Sequence, residues 1–138
     1  MAEPIQRLQE CGIQPSAQRL AIAAYVLETD EHPSADDVWR KVKGTLPMVS
    51  RATVYNTLNL FVSRGLLRQV VLRGGRVLFD PRTERHHHLV DERNGVVYDV
   101  PWEALEVRNA ERLDEFAVTD YEVVLRGTRR GRRSTKRS

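Results

Sequence analysis

Three consecutive histidines, His86, His87 and His88, are the part of this 138-residue chain best suited to chemistry. The chain has four histidines in all, and the fourth, His32, lies far upstream. Because side chains alternate between the two faces of a β-strand, His86 and His88 would share one face and His87 would occupy the other. Two imidazoles on one face can bind one metal ion. The tract therefore predicts a metal site, although a solvated polar strand would also fit it.

Two carboxylates are placed to join this site. Asp99 falls on the next predicted strand, and Asp80 ends a strand just before the tract. Imidazoles combined with carboxylates suit Fe(II), Mn(II) or Zn(II). If His32, in a predicted turn, bound the same ion, the metal would connect the two halves of the chain. Taken singly, Asp80 also fits a strand-end cap and His32 an ordinary turn residue.

The elements that must position these residues begin with three predicted helices. Ser16, Ser34 and Ser50 can each cap a helix, and apolar residues follow each serine at helical spacing. The expected buried faces are Leu20, Ala23, Ala24 and Leu27; Val38, Trp39 and Val42; and Val54, Leu58, Phe61 and Val62. Three short helices joined by tight turns predict a helix-turn-helix.

The exposed face of the third helix is polar and carries no acid. It presents Arg51, Thr53, Tyr55, Asn56 and Asn59. Two β-rich runs then flank Gly74-Gly75, which predicts a hairpin with Arg73 and Arg76 at its tip. A hairpin directly after a helix-turn-helix is a wing, and its tip would contact a phosphate backbone. These features predict DNA binding.

The composition changes after residue 81, where we expect a second domain. "HHHLVD" and "GVVYDV" read as strands, 101–116 as an amphipathic helix burying Leu105, Ala110 and Leu113, and 118–127 as a last strand. Such a β-β-α-β unit is small to stand alone, so we expect a homodimer. The predicted class is α+β, with a winged helix-turn-helix DNA-binding domain over 1–81, a hinge over 82–85, a small α/β dimerisation and metal-binding domain over 86–126, and a basic disordered tail over 127–138.

The charge distribution divides the chain in the same way. Residues 1–81 carry ten basic and eight acidic groups, and residues 82–125 carry five and eleven. The last thirteen residues hold seven basic groups and no acid. The first part can therefore bind a polyanion such as DNA, whereas the acidic second part would be repelled by one. The tail either keeps the protein soluble or makes nonspecific contacts with phosphates.

Several function classes are disfavoured. No run approaches the roughly 18 apolar residues of a membrane span, and the first residues do not read as a signal peptide, so we expect a cytoplasmic protein without a membrane partner. Cys11 is the only cysteine, which excludes an internal disulfide. A non-haem iron enzyme and a metal-buffering protein share the ligand types, but nothing indicates a substrate cavity. We expect a regulator, not an enzyme.

In order, "SRATVYNTLNLF", "SRGLLRQV", "VLFD", "HHHLVD" and "NGVVYDV" resemble the ferric uptake regulator (Fur) family over about residues 5–127. The resemblance implies a winged helix, a dimerisation domain and a metal between them that closes the dimer for DNA binding. The implied regulatory ligands are His32, Asp80, His86, His88 and Asp99.

This ligand set, with aspartate at position 80, resembles the peroxide-sensing branch, PerR. The resemblance implies bound Fe(II) or Mn(II), and release of DNA when Fe(II) and peroxide oxidise a ligand histidine. Other features, including "GLLRQV" and the histidines without cysteines, resemble the iron-responsive branch Irr, which responds to haem. Both alternatives stay open.

Two further implications concern other metals. Many members hold a structural zinc with two CxxC pairs, but Asp91 and Asn94 stand at the first pair here, so we expect no structural zinc. A second metal site in some relatives matches His87 and Glu106, although Tyr121 replaces a further histidine.

For DNA, the resemblance adds Arg19 to the residues predicted above. Asn56 can read adenine and Tyr55 can contact a thymine methyl, which suits an AT-rich palindromic operator read by a two-fold dimer. Tyr55 could instead pack within the motif, and Arg51 and Asn56 could be plain surface.

Overall fold

The computed structural model describes residues 3–130, so residues 131–138 of the predicted basic tail lie outside it. The chain forms two compact units, divided between Thr83 and Glu84. The first unit holds four helices and a two-stranded sheet, and the second holds a three-stranded sheet. The predicted α+β class is confirmed.

The helices are α1 Pro4–Glu10, α2 Ala17–Val26, α3 Ala35–Val42 and α4 Arg51–Ser63. The side chains of Ser16, Ser34 and Ser50 cap the last three by accepting backbone N–H groups, as predicted. In α3 the cap is reciprocal, because the Asp37 carboxylate accepts from the Ser34 N–H at 3.0 Å. The patterns do not predict α1, which starts at a proline and buries only Leu8.

The buried face of α2 differs from the predicted one. Ile22, Ala23 and Val26 are buried, whereas Ala24 is exposed. Helix α2 contacts α1, α3 and α4, so three neighbours determine which face is covered. The faces predicted for α3 and α4 are close to those observed: Val38 and Val42 in α3 are buried, and so are Val54, Leu58 and Phe61 in α4.

The hairpin after α4 consists of β1 Arg68–Val71 and β2 Val77–Asp80, paired antiparallel. Gly74 and Gly75 form its turn with φ of 85° and 82°, a region that favours glycine. Arg73 and Arg76 are exposed beside this turn. The Phe79 N–H donates to Pro33 O at 2.9 Å, which joins β2 to the turn before α3.

The second unit is a sheet of β3 His86–Asp91, β4 Val97–Pro101 and β5 Val124–Gly127, in the order β4-β3-β5. Strand β3 pairs antiparallel with β4 and parallel with β5. The histidine tract therefore lies in the central strand, with neighbours on both sides. Gly127, where the predicted last strand and the predicted tail overlap, belongs to β5.

The helix predicted over 101–116 is wrong. A short 3-10 helix at Trp102–Ala104 is followed by turns and irregular backbone, and the last strand begins only at Val124. Leu113 and Phe116 are 52% and 70% exposed. An isolated helix of this length is marginal in water unless its apolar face is covered, and these two side chains are not covered in the single chain.

Candidate metal centre and nucleic-acid interface

The face of β3 that carries His86 and His88 also receives Asp99 from β4. Asp99 Oδ1 lies 3.3 Å from His86 Nε2 and 3.8 Å from His88 Nε2. The two imidazole centroids are 4.7 Å apart, and both rings are buried. Strand alternation explains this grouping, because residues two apart share a face and Asp99 pairs with His88 in the register.

The hydrogen bonding of His86 shows what this group can bind. Its Nδ1 lies 2.7 Å from Glu84 O, and since a carbonyl only accepts, Nδ1 carries the hydrogen. In the neutral ring Nε2 is then an acceptor, and it faces a carboxylate oxygen, another acceptor. A proton or a metal cation between the two atoms would be bound by both of them. The donor set therefore fits a divalent metal of the kind that histidine and carboxylate bind.

Glu122 lies beside the same group, although the sequence patterns do not indicate it. Its Oε1 is 3.8 Å from His88 Nδ1. Glu122 precedes β5, and only the parallel pairing of β3 with β5 brings it near the histidines. Long-range pairing of this kind leaves no local pattern in the sequence.

The first unit contains a second predicted pair, His32 and Asp80. His32 Nε2 lies 3.2 Å from Asp80 Oδ2, and the side chains are only 5% and 2% exposed. The other carboxylate oxygen, Oδ1, accepts from the Arg82 N–H at 2.9 Å. The bond from Phe79 N–H to Pro33 O explains why the pair meets, because it holds the neighbours of both residues together.

Each unit holds its own group of possible ligands. The second unit offers His86, His88 and Asp99, with Glu122 beside His88, and the first offers His32 and Asp80.

His87 and Glu106, predicted as a second site, are not grouped with further ligands. His87 lies on the opposite face of β3, where its Nδ1 accepts from the Val123 N–H at 2.9 Å. Glu106 is exposed. Within residues 3–130, neither joins a group of three or more side chains able to hold an ion. Burial lowers the pKa of His87, and the negative charge of Glu122 opposes this effect.

On α4, the predicted DNA-binding residues fall into two groups. Tyr55 is 53% exposed and Asn56 is also exposed. Arg51 and Thr53 are instead engaged locally. The Arg51 guanidinium lies 4.3 Å from the Trp39 ring, and the Thr53 hydroxyl accepts from Ser50 Oγ at 2.9 Å.

A groove beside α4 brings three of the predicted DNA-binding residues together with others, such as Gln18, that the sequence patterns did not indicate. It has a volume of about 490 Å³ and separates the start of α2 from α4. Its lining carries no acid and consists of Gln14, Pro15, Ser16, Gln18, Arg19, Thr53, Asn56 and Thr57. Arg19 Nη1 donates to Gln14 O at 2.8 Å. Arg19 therefore holds the backbone at the edge of this groove and also gives the groove a positive charge.

Among the described residues, no helix has the length and apolar character needed to cross a membrane.

The sequence and the fold were compared with those of known proteins. The profile of the ferric uptake regulator family matches residues 10–126. The peroxide-responsive repressor PerR of Staphylococcus aureus strain Mu50 is 30% identical over 129 residues, which cover 92% of this chain and 87% of that protein. The structure of the Pseudomonas aeruginosa ferric uptake regulator with manganese is 27% identical, with a TM-score of 0.71 and coverage of 95% and 100% of the two chains. A structure of PerR from Streptococcus pyogenes is 26% identical, with a TM-score of 0.53 and coverage of 93% and 91%.

Proposed function

Because the chain belongs to the ferric uptake regulator family, we propose that it is a metal-dependent transcriptional repressor that responds to peroxide through oxidation of a ligand histidine. Membership of a family of metal-responsive regulators follows from the family match. The response to peroxide is what we propose in addition. It is supported by the likeness to peroxide-responsive repressors over most of the chain.

The observation that carries the proposal is the convergence of His86 Nε2 and His88 Nε2 on Asp99 Oδ1. We propose that His32 and Asp80 complete the ligand set, so that one ion is held by both units. Nitrogen and oxygen donors of this number suit Fe(II) or Mn(II). Zn(II) can substitute, because such donors bind it more tightly than either of those ions, and availability in the cell decides which metal is bound.

Bound Fe(II), held by the proposed ligands, would supply the one-electron redox chemistry that activates peroxide, and the two electrons that reduce the peroxide would in the end come from the oxidised ring. His86 and His88 hold the nearest oxidisable rings, and both are buried, so an oxidant formed there meets an imidazole before bulk water. Overall, one oxygen atom of peroxide adds to a ring carbon and the other leaves as water. A modified ring is a poorer ligand, which would weaken metal binding and release DNA.

The proposed DNA surface consists of the exposed face of α4, the groove beside it and the wing. Tyr55 and Asn56 would read base edges, while Arg73 and Arg76 would contact phosphates. The partner would be a double-stranded operator, and the reading groups suit an AT-rich palindrome. A repressor that acts on chromosomal DNA works in the cytoplasm, and we propose that location.

Regulators of this family bind DNA and act as dimers. We propose that a second copy covers the exposed apolar side chains of Val96, Leu113 and Phe116. These residues all lie in the second unit, which matches the expectation that this unit needs further burial to be stable.

Peptide mass mapping tests the peroxide proposal. The full chain would be loaded anaerobically with Fe(II) and treated with a small excess of peroxide. The expected result is one added oxygen on His32, His86 or His88 in the Fe(II) form and none in the Mn(II) form. His87 is the internal control, since it lies on the same strand but faces the other way.

No added oxygen would overturn the peroxide signal. A haem titration would then test the iron- or haem-responsive alternative, which uses the same scaffold. A metal-buffering protein or an iron enzyme is separated from a repressor by footprinting. The metal-loaded dimer is expected to protect a specific operator, and chelation is expected to abolish that protection.

A further inference from the structure

His87 is buried on the face of β3 that lies opposite the His86–His88 pair. Its ring stacks on Trp102 with centroids 4.5 Å apart and planes 18° apart. Trp102 directly follows β4, the strand that also carries Asp99. The stack therefore ties β3 to the end of β4 on the face that holds no proposed ligand.

His87 also ties β3 to the segment before β5. The Val123 N–H donates to His87 Nδ1 at 2.9 Å, and the Val123 carbonyl accepts from the His88 N–H at 3.0 Å. Both polar backbone groups of Val123 are thus satisfied by two neighbouring residues of β3. Because Nδ1 accepts this hydrogen bond, Nε2 carries the hydrogen of the neutral ring, and neither nitrogen offers a lone pair to a metal.

Arg85 places a positive charge in the same cluster. Its guanidinium carbon lies 3.8 Å from the Trp102 ring and 5.0 Å from the Tyr121 ring. Arg85 Nε lies 3.6 Å from Asp120 Oδ1. Cations are attracted to aromatic faces, so the rings of Trp102 and Tyr121 hold the Arg85 guanidinium in this position. A second, divalent cation beside His87 would be repelled by that charge.

From these contacts we infer that His87 is a positioning residue, which fixes the directions of His86 and His88 from the opposite face of β3 and does not itself ligate a metal. The inference rests on the proposed metal site. His86, His87 and His88 are consecutive on one strand. Contacts that prevent β3 from rotating about its axis at His87 therefore also fix the directions in which the His86 and His88 side chains leave the strand. Metal–ligand distances tolerate only about 0.2 Å of error. Loss of an outer partner typically weakens metal affinity by about 10- to 100-fold.

Two variants of the full-length protein separate the contacts of His87. His87→Phe keeps a ring against Trp102 but removes the acceptor for Val123. His87→Asn keeps an acceptor near the position of Nδ1 but removes the ring. Mn(II) affinity would be measured from the electron paramagnetic resonance signal of the free ion. We expect the dissociation constant to rise about 10- to 100-fold in His87→Phe, and to rise less in His87→Asn, which loses the stack but keeps the acceptor for the Val123 N–H.

The matched control is Val97→Ala, which removes a buried side chain of β4 on the same sheet. It should lower the melting temperature of the metal-free protein without changing Mn(II) affinity. Pulsed spectroscopy of bound Mn(II) supplies a second readout, since the number of coordinated histidine nitrogens should be the same in wild type and His87→Phe.

Three outcomes would overturn the inference. A coordinated nitrogen lost in His87→Phe would make His87 a ligand. A loss of stability with wild-type Mn(II) affinity in His87→Phe would leave it a purely structural residue. A wild-type chain that binds no Mn(II) would overturn the proposed function, and this inference with it.

Discussion

Asp99 lies opposite His88 in the antiparallel register of β3 and β4, with its Oδ1 3.8 Å from His88 Nε2. The pairing of two strands sets this relationship, so it does not depend on a loop. Backbone pairing should therefore keep the backbone positions of Asp99 and His88 opposite each other when a ligand side chain is removed, whereas the directions of the rings also depend on the contacts of His87. This makes single-ligand substitutions interpretable.

His86→Ala should raise the Mn(II) dissociation constant by at least about 100-fold, more than the loss of an outer-shell partner usually costs. It removes one of the two Nε2 atoms that face Asp99. Metal-dependent DNA binding should be lost, while light scattering should still show a dimer. An unchanged DNA affinity would contradict the proposed role of the metal site.

Tyr55→Ala should weaken binding to the selected operator about tenfold, within the roughly 1–3 kcal/mol that one specific base contact contributes. Tyr55 is half exposed on α4, so its loss should leave the core intact. Fluorescence anisotropy with labelled duplex would measure the effect. Mn(II) affinity should be unchanged, and a loss of metal binding would mean that the domain roles are assigned wrongly.

Gln18→Ala should also weaken operator binding about tenfold, because an amide in the groove beside α4 can pair with an adenine edge. Selection from a randomised duplex library would locate the effect, since preference should relax at one base pair only. Gln6→Ala is the control, an exposed amide on α1 outside this groove. Equal effects of the two substitutions would exclude a specific role for Gln18.

Phe116→Glu should raise the dimer dissociation constant by at least about 100-fold. Phe116 is 70% exposed in the single chain, and a two-fold interface would lose two copies at about 1.5–3 kcal/mol each. Analytical ultracentrifugation would measure the dissociation constant, with Phe116→Leu as the apolar control. If both variants dimerise like wild type, this side chain lies outside the interface.

Asp37→Asn should lower the free energy of unfolding by about 0.5–1 kcal/mol at neutral pH, because it weakens the capping box of α3. Partial burial works against the charge, but hydrogen bonds from Ser34 and Arg40 prevail and lower the pKa of Asp37.

A depressed carboxyl pKa stabilises the fold above the unfolded value of about 3.9, and the benefit is lost as pH falls through the folded value. The difference between variant and wild type should therefore shrink below about pH 4. Urea denaturation of the metal-free protein at several pH values would show this, and a difference that grows in acid would contradict it.

Sequence patterns located the helix-turn-helix and the wing well, because these elements are marked locally. The caps at Ser16, Ser34 and Ser50 and the paired glycines of the hairpin are all observed. The alternation of His86 and His88 against His87 also follows from strand geometry alone.

The failures concern residues whose environment is decided by distant partners. The segment 101–116 has helical spacing but no covering surface in the single chain, and Leu113 is exposed. Glu122 meets His88 only through the parallel pairing of β3 and β5. Likewise, Gln18 joins Asn56 only because α2 and α4 pack together around a groove.

Strand β2 has four residues, begins beside the exposed Arg76 of the wing and ends at Asp80. At about 3.3 Å per residue, only about 13 Å of hydrogen-bonded strand separates the proposed DNA-contacting tip from a proposed ligand. Its Phe79 is bonded to Pro33, next to His32. In this unit the proposed ligand Asp80 and the tip of the wing belong to the same short strand. A change in metal binding at Asp80 would therefore move the wing through the backbone of β2, without intervening side-chain contacts.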